Sequence, residues 1–363
     1  MTNLKKYPFY LRSTVILFGL ILCTYALSGL REILIPLAFS LFLAMLLNPL
    51  NNRLELWKIP KVLSITLSLM IALIVIAGVW YFLATQMMHF TDQLPLLQKK
   101  SAELLSRLQK WLVEDLKVPL EKQNQYIKEA QAGIKPLIGR TLGTVAGTLS
   151  TALLLPVYTF LFLYYKMLIV NFVYEIFAEE NTREVSTVLQ QAKGAIQSYM
   201  FGLLIEGLVV AALNTIALLL LGVPYAILLG VLGAILNVLP FIGGVIAILL
   251  PVFIATITKD GFQTQLLIII AYLVIQFIDN HFLVPYIVSS KVKINALISL
   301  VIVFMGGAIW GLSGMFLSIP FIGVLKIVFD RIPELKPWGK LLGDEVPVRH
   351  RGQLRRRPLK ETK

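Results

Sequence analysis

Asp279 and Asn280 follow Gln276 by three and four residues in Gln276-Phe-Ile-Asp279-Asn280-His281, within a run of otherwise apolar residues. On a helix this spacing brings the three side chains to one face, where a carboxyl and two amides can converge on a polar ligand or an ion. An ionisable group at the centre of a bilayer costs about 2.5–3.5 kcal/mol on insertion scales, so Asp279 reads as a functional group. The other reading is a hydrogen-bond network inside a helix bundle, with no ligand. Glu206 and Asn214 lie in a second apolar run, eight residues or about two turns apart, hence on nearly the same face. Glu206 is too short to snorkel out from that depth, which makes it a candidate proton site or a buried structural carboxyl.

The elements that would position these groups are two long apolar stretches, 224–258 and 295–328. Each is too long for one crossing, which needs about 20 residues, and short for two, which need about 40. Both are broken near the middle, by Asn237-Val-Leu-Pro240-Phe-Ile-Gly243-Gly244 and by Gly306-Gly307-Ala-Ile-Trp-Gly311-Leu-Ser313-Gly314. These breaks predict two re-entrant helical hairpins with their tips at the glycines and Pro240; the competing reading is two kinked single spans, giving eight transmembrane helices. Irregular backbone at membrane depth is tolerated where it is buried in protein or lines a watery cavity, and interrupted segments in corresponding positions point to a transporter's binding site. Asn237 and Ser313 could add side-chain hydrogen bonds at the tips. Gly243, Gly244, Gly306, Gly307, Gly311 and Gly314, taken singly, could serve only close helix packing.

Composition sets the class. Of 363 residues 57% are hydrophobic and 15% charged, with a mean hydropathy of +0.79, which describes an all-α polytopic membrane protein. One cysteine, Cys23, rules out an internal disulfide, and His89, His281 and His350 have no metal-ligand spacing, so no metal and no cofactor are expected. The chain has no nucleophile with a paired base and no phosphate-binding loop, so no catalytic residues and no ATP-driven pumping are expected. The net charge of +13 is read as topology and contact with anionic lipid rather than nucleic-acid binding.

Apolar runs at Ser13–Gly29 and 33–50 read as a transmembrane hairpin, and further crossings are predicted at 62–87, 141–165, 197–221 and 262–288, about six in all. Basic loops around Lys58 and Lys61 and a tail with Arg355-Arg356-Arg357 place both termini in the cytoplasm. Residues 91–140 read as an extracytoplasmic helical insert with an amphipathic stripe through Leu97, Leu104, Leu105, Leu108, Trp111 and Leu112, packed on the protein or a neighbouring subunit rather than on lipid. The domains are therefore transmembrane scaffold helices 1–90, the insert 91–140, a fourth crossing with a cytoplasmic surface helix 141–196, a transport unit 197–330 and a basic tail 331–363. Within the transport unit, 197–258 and 262–328 each read as a span and then a broken hairpin, with Pro-Phe-Ile-Gly in both, a weak inverted repeat. Opposed hairpins would close the site alternately from either side, in an elevator-like motion.

The run from Leu221-Gly-Val-Pro-Tyr to Asn237-Val-Leu-Pro-Phe-Ile-Gly-Gly244, with Gln276-Phe-Ile-Asp-Asn280, Pro285 and the glycine-rich segment 306–320, resembles the autoinducer-2 exporter family. Leu47-Asn48-Pro49-Leu50 and Pro156-Val-Tyr-Thr-Phe fit as well. The resemblance implies a multi-pass protein of the prokaryotic plasma (inner) membrane that exports a small polar solute such as a quorum-sensing signal, driven by an ion gradient or downhill flow. Sodium–proton antiport is the alternative, and a non-transporting scaffold or receptor is an alternative of another class. The resemblance also implies a homo-oligomer, plausibly a pentamer, in the lipid bilayer. Phe201-Gly202-Leu203 departs from the family pattern, which expects basic and amide residues around that glycine.

Overall fold

The computed structural model describes residues 8–344 except 93, 116, 126–127, 130–152, 178–181, 239–242, 260 and 289–293. The described residues are helical, and their one β-type pairing is an isolated bridge between Ile294 and Gly343. Five helices are long and apolar enough to cross a membrane, and six if one bent pair counts as a span, so the chain is an all-α polytopic membrane protein.

α1 (Phe9–Gly29) and α2 (Arg31–Leu56) are joined by Leu30 alone. A packed antiparallel pair needs a loop of about 2–5 residues, and from Ser13 to Gly29 α1 is exposed except at Leu27. The predicted transmembrane hairpin of these two runs is therefore not closed within the chain. α2 is the scaffold's centre, packing on α3 (Lys61–Asp92) and α5 (Leu154–Tyr164) through Ala44, Leu47, Ile65, Leu69 and Leu163. Ser40 Oγ donates to Leu155 O at 3.2 Å and Thr159 Oγ1 to Ser40 O at 3.4 Å, fastening α5 to α2. In sequence α3 is followed by α4 (Leu94–Glu114), which with the short helical run 120–125 belongs to the described part of the insert.

α6 (Lys166–Phe177) leaves α5 with a 61° bend. α7 (Thr182–Leu220) then continues unbroken for 39 residues. The sequence reading places a short cytoplasmic surface helix and its connection ahead of a separate crossing from 197. Instead residues 171–177 end α6, and 182–193 form the first turns of α7, because nothing from Arg183 to Gln197 except Gly194 discourages helix propagation. The upstream half of the fourth crossing, 141–152, the end of the insert and the tail from 345 lie outside the described residues.

α7 ends in a glycine-capped turn: Gly222, at φ 61°, donates to Leu219 O at 3.0 Å, and Val223 N to Leu218 O at 2.9 Å. Pro224 belongs to this turn. Although proline suits a helix's first turn, the next helix starts only at Ala226, after Tyr225 in the left-handed region.

α8 (Ala226–Asn237) and α9 (Gly243–Thr258) form the first hairpin. A side chain on Gly243 would strike the backbone of Leu236 and Asn237, and one on Gly233 would lie 3.6 Å from Ala247 Cβ, a pairing that only antiparallel arms produce. The insert docks here, with Leu97 buried in one core cluster with Ile254, Ile257 and Ile268 and Leu104 packed against it, whereas Leu105 and Trp111 of the predicted stripe are exposed, on the flank of α4 turned away from the hairpin. α10 (Gln263–Ile278) follows and passes directly into a π-helical segment, Asp279–Val288. Pro285 lacks the N–H that an α-turn would need, and the wider turn accommodates its ring.

α11 (Ala296–Arg331) contains the second hairpin. Gly311, at φ 62° and ψ −143°, is non-helical, and a side chain on Gly306 would touch Gly314 and Ser318. In one straight helix those residues would be about 12 and 18 Å away along the axis, so the chain reverses at Gly311. Gly306, Gly307 and Gly314 lie in the arms where the two backbones meet. The two Pro-Phe-Ile-Gly sequences are not equivalent: the first ends at Gly243, at the opening of α9, while 320–323 lie well inside an arm of α11.

At the open end of this hairpin a short helix, α12 (Lys336–Leu342), folds back across both feet. Asn295 N donates to Leu342 O at 2.9 Å next to the Ile294–Gly343 bridge, and Gly339 packs against Asp330 without room for a side chain. Lys326 Nζ pairs with Asp330 Oδ2 at 2.5 Å. Phe39 of α2 stacks on Phe316 with ring centroids 5.5 Å apart, and Trp310 Nε1 donates to Leu27 O at 2.8 Å.

Candidate functional site

α7 contributes one buried stripe: Gly202, Glu206, Val210, Asn214 and Leu218 recur every fourth residue and all face inward. α8 lies along this stripe because two glycines let it approach. Gly230 faces the backbone of Thr215 at a separation that leaves no room for a Cβ, and Gly233 sits against Asn214 Nδ2. α10 supplies a third wall with Tyr272, Ile275, Gln276 and Asp279, on consecutive turns of one face.

These elements enclose a cavity about the size of a water molecule, lined by Val210, Asn214, Gly233, Asn237, Gly244, Ala247, Tyr272, Ile275, Gln276 and Asp279. At its floor Asn237 Nδ2 donates to Asp279 Oδ2 at 2.8 Å, bringing the hairpin tip onto the α-to-π junction. Gln276 Nε2 donates to Asp279 Oδ2 at 3.4 Å and to Asn280 Oδ1 at 3.3 Å. Gly244 offers bare backbone to Gln276 Oε1. The carboxyl of Glu206, 7% exposed, reaches that of Asp279, 2% exposed, within hydrogen-bonding contact. Three oxygens buried around the cavity have no partner among the described residues, Asp279 Oδ1, Asn214 Oδ1 and the Tyr272 hydroxyl, and Glu206 Oε2, outside the lining, has none either. Buried polar atoms are nearly always paired, so three around one cavity mark it as a polar site.

Six of the residues singled out from sequence thus meet: Glu206, Asn214, Asn237, Gln276, Asp279 and Asn280. Asn280 is exposed and joins only through Gln276, because the switch to π geometry at Asp279 turns it outward. Ser313 does not join them; it follows the reversal of the second hairpin and lies outside the cavity lining. Pro240 lies outside the described residues. Sequence reasoning passed over Tyr272 and Gly233. The signal for Tyr272 was its place one turn before Gln276 on the same face, and for Gly233 its four-residue step to Asn237.

Residues 13–334 match the family model described as AI-2E family transporter, nearly the whole chain. The chain belongs to that family. Among its relatives, the AI-2 transport protein TqsA of Escherichia coli strain K12 is 25% identical over 336 residues, spanning 91% of this chain and 95% of TqsA. YrrI of Bacillus subtilis strain 168 is 23% identical over 82% of this chain and 86% of its own length. YhhT of Escherichia coli strain K12 is 24% identical over 91% and 94%. The family is one of transporters, and the site described above lies within the matched region.

Proposed function

We propose that the chain is a secondary transporter that exports a small polar solute through the centre between α7, the first hairpin and α10, driven by an ion gradient or by downhill flow. The observation that carries this reading is the meeting of a hairpin tip with a broken helix at a buried carboxyl pair, the arrangement in which membrane transporters hold substrates and coupling ions. A relative named for AI-2 transport supports a small oxygen-rich organic solute of the quorum-signal type. Export in this reading proceeds from the cytoplasm across the plasma membrane, with residues 197–330 as the moving unit and 1–90 as scaffold.

Cation–proton antiport is the second reading. It is favoured by the cavity's water size in this conformation and by the oxygen-only set of unpartnered atoms. Reconstitution into vesicles separates the two. Counterflow of a neutral polyol-like solute, lost in Asp279→Asn, is expected for export; collapse of a pH gradient on sodium addition, with no solute counterflow, would replace export by antiport. No flux of either kind from folded protein would remove transport altogether.

A further inference from the structure

Among the described residues the Glu206–Asp279 pair has no ion-pair partner. α8 and α9, which cover it, contain no titratable residue, and α10 adds only Tyr272. α7 adds Tyr199, two turns before Glu206 and in electrostatic contact with it. α7 also carries Arg183, Glu184 and Lys193 toward its start, and the other helices on it, α2, α6 and α11, carry charge toward their ends, at Arg31, Glu32, Arg53, Glu55, Lys166, Glu175, Lys326, Asp330 and Arg331. His281, on the π segment, is exposed and stacks on Phe277, with Nδ1 3.0 Å from Phe277 O. Two ionised carboxyls in contact, out of water and without a cation, repel each other and forgo solvation. They also cannot hydrogen-bond, since an ionised carboxyl only accepts.

One positive charge resolves all of this. A proton between the carboxyls gives the pair its missing hydrogen bond and leaves a single negative charge on Asp279, where Asn237 and Gln276 both donate. A dehydrated monovalent cation in the cavity beside Asp279 would do the same, with Asp279 Oδ1, Asn214 Oδ1 and the Tyr272 oxygen as ligands. We propose that the Glu206–Asp279 pair binds one exchangeable positive charge, and that this charge latches the tip of the first hairpin onto α10 through Asn237. When the charge leaves, repulsion parts α7 from the π segment and the Asn237 contact is lost. This inference rests on the transport reading for its purpose; the latch itself can be tested without transport.

The test uses the full chain carrying Cys23→Ser and Val238→Cys, reconstituted in nanodiscs. The rate of alkylation at position 238 is divided by that of a Phe262→Cys chain, whose site is 85% exposed, to cancel thiol ionisation. In sodium-free buffer the normalised rate should rise about tenfold from acid to alkaline pH, as an open state that is minor while latched becomes populated. Restored protection on adding sodium chloride at alkaline pH identifies an alkali cation as a competing occupant; protection that follows pH alone identifies the proton.

Glu206→Gln supplies the hydrogen permanently and should stay protected at every pH. Asp279→Asn removes the charged acceptor and should label fast throughout. A wild-type rate independent of both pH and sodium, or a Glu206→Gln chain that titrates like wild type, overturns the latch. If Asp279→Asn fails to fold, Glu206→Gln decides alone. Flux measured with the same proteins keeps the two claims apart: pH-dependent protection without flux leaves the latch and removes the transport reading, and flux without such protection does the reverse.

Discussion

Asn237 and Asp279, 42 positions apart, are joined by a 2.8 Å hydrogen bond from the amide Nδ2 to the carboxyl Oδ2. It ties the last residue of α8 to the first residue of the π segment, so the described end of the hairpin and the irregular turn of the span are held as one unit. Hydrogen bonds to charged groups contribute about 1.5–3 kcal/mol. Asn237→Ala should therefore lower the thermal midpoint of the purified protein, and Asn237→Asp, which adds a third carboxyl, should lower it further. Thermal unfolding in detergent checks the order.

Two neighbouring glycines on α8 should respond differently to the same change. A Cβ on Gly230 would lie 2.7 Å from Thr215 N and 2.9 Å from its Cα, so Gly230→Ala should push α8 off α7 and cost about 1–3 kcal/mol of stability. On Gly233 the nearest atoms are at 3.1, 3.6 and 3.7 Å, so Gly233→Ala should fold but narrow the cavity. Its signature is reduced flux at near-normal thermal stability.

In the second hairpin the reversal and the arm contact should fail separately. Gly311→Ala meets open space but must adopt φ 62° with ψ −143°, a strain of about 1–3 kcal/mol. Gly314→Leu has acceptable dihedrals but strikes the Gly306 backbone, and it should be the more damaging of the two. Gly78→Ala, with nothing within 4 Å, should be neutral or mildly stabilising and serves as the control. Expression level and melting temperature measured across the three report the ranking.

Leu97 anchors the insert to the first hairpin. Truncating a buried leucine costs about 2–5 kcal/mol, so Leu97→Ala should free α4 and speed its proteolysis, whereas the exposed Leu105→Ala should not. Limited proteolysis of the two variants is the check.

How legible this architecture was depends on the kind of signal. Glu206, Asn214, Gln276 and Asp279 were legible because charge and amide in an apolar run are costly, and helical spacing assigns a face. The hairpins were legible from length, since neither one nor two crossings fit. The start of α7 was not, because polar residues from Arg183 to Lys193 are equally at home in a separate surface helix and in the first turns of a long one. The outward turn of Asn280 was hidden for a different reason: three- and four-residue spacing assumes α geometry, and the register change at Asp279 is a response to Pro285 and to tertiary contacts. Ser313 stands beside the reversal, as the tip reading has it, but a glycine-rich break does not reveal that this tip lies outside the lining of the cavity.

The Lys326–Asp330 pair should matter little by itself. With the side chains 19% and 41% exposed, Lys326→Ala should cost no more than about 0.3–0.5 kcal/mol, fading in high salt. Gly339→Leu, which forces α12 away from Asp330, should be far more disruptive. Melting curves at low and high salt distinguish the two effects.

Because α12 ties Ile294 and Asn295 at one foot of the second hairpin to Lys326 and Asp330 at the other, the two arms cannot spread like tweezers from that end. A force applied there swings both arms together. Trp310, beside the reversal and bonded to Leu27, then becomes the far end of a rigid lever about 22 Å long, counted at 1.5 Å per residue from Ala296. A rotation of a few degrees at the feet, too small to break any hydrogen bond of the clasp, would displace that end by an ångström or more on geometry alone. The bond from Trp310 to Leu27 would register such a tilt before any other contact described for this hairpin.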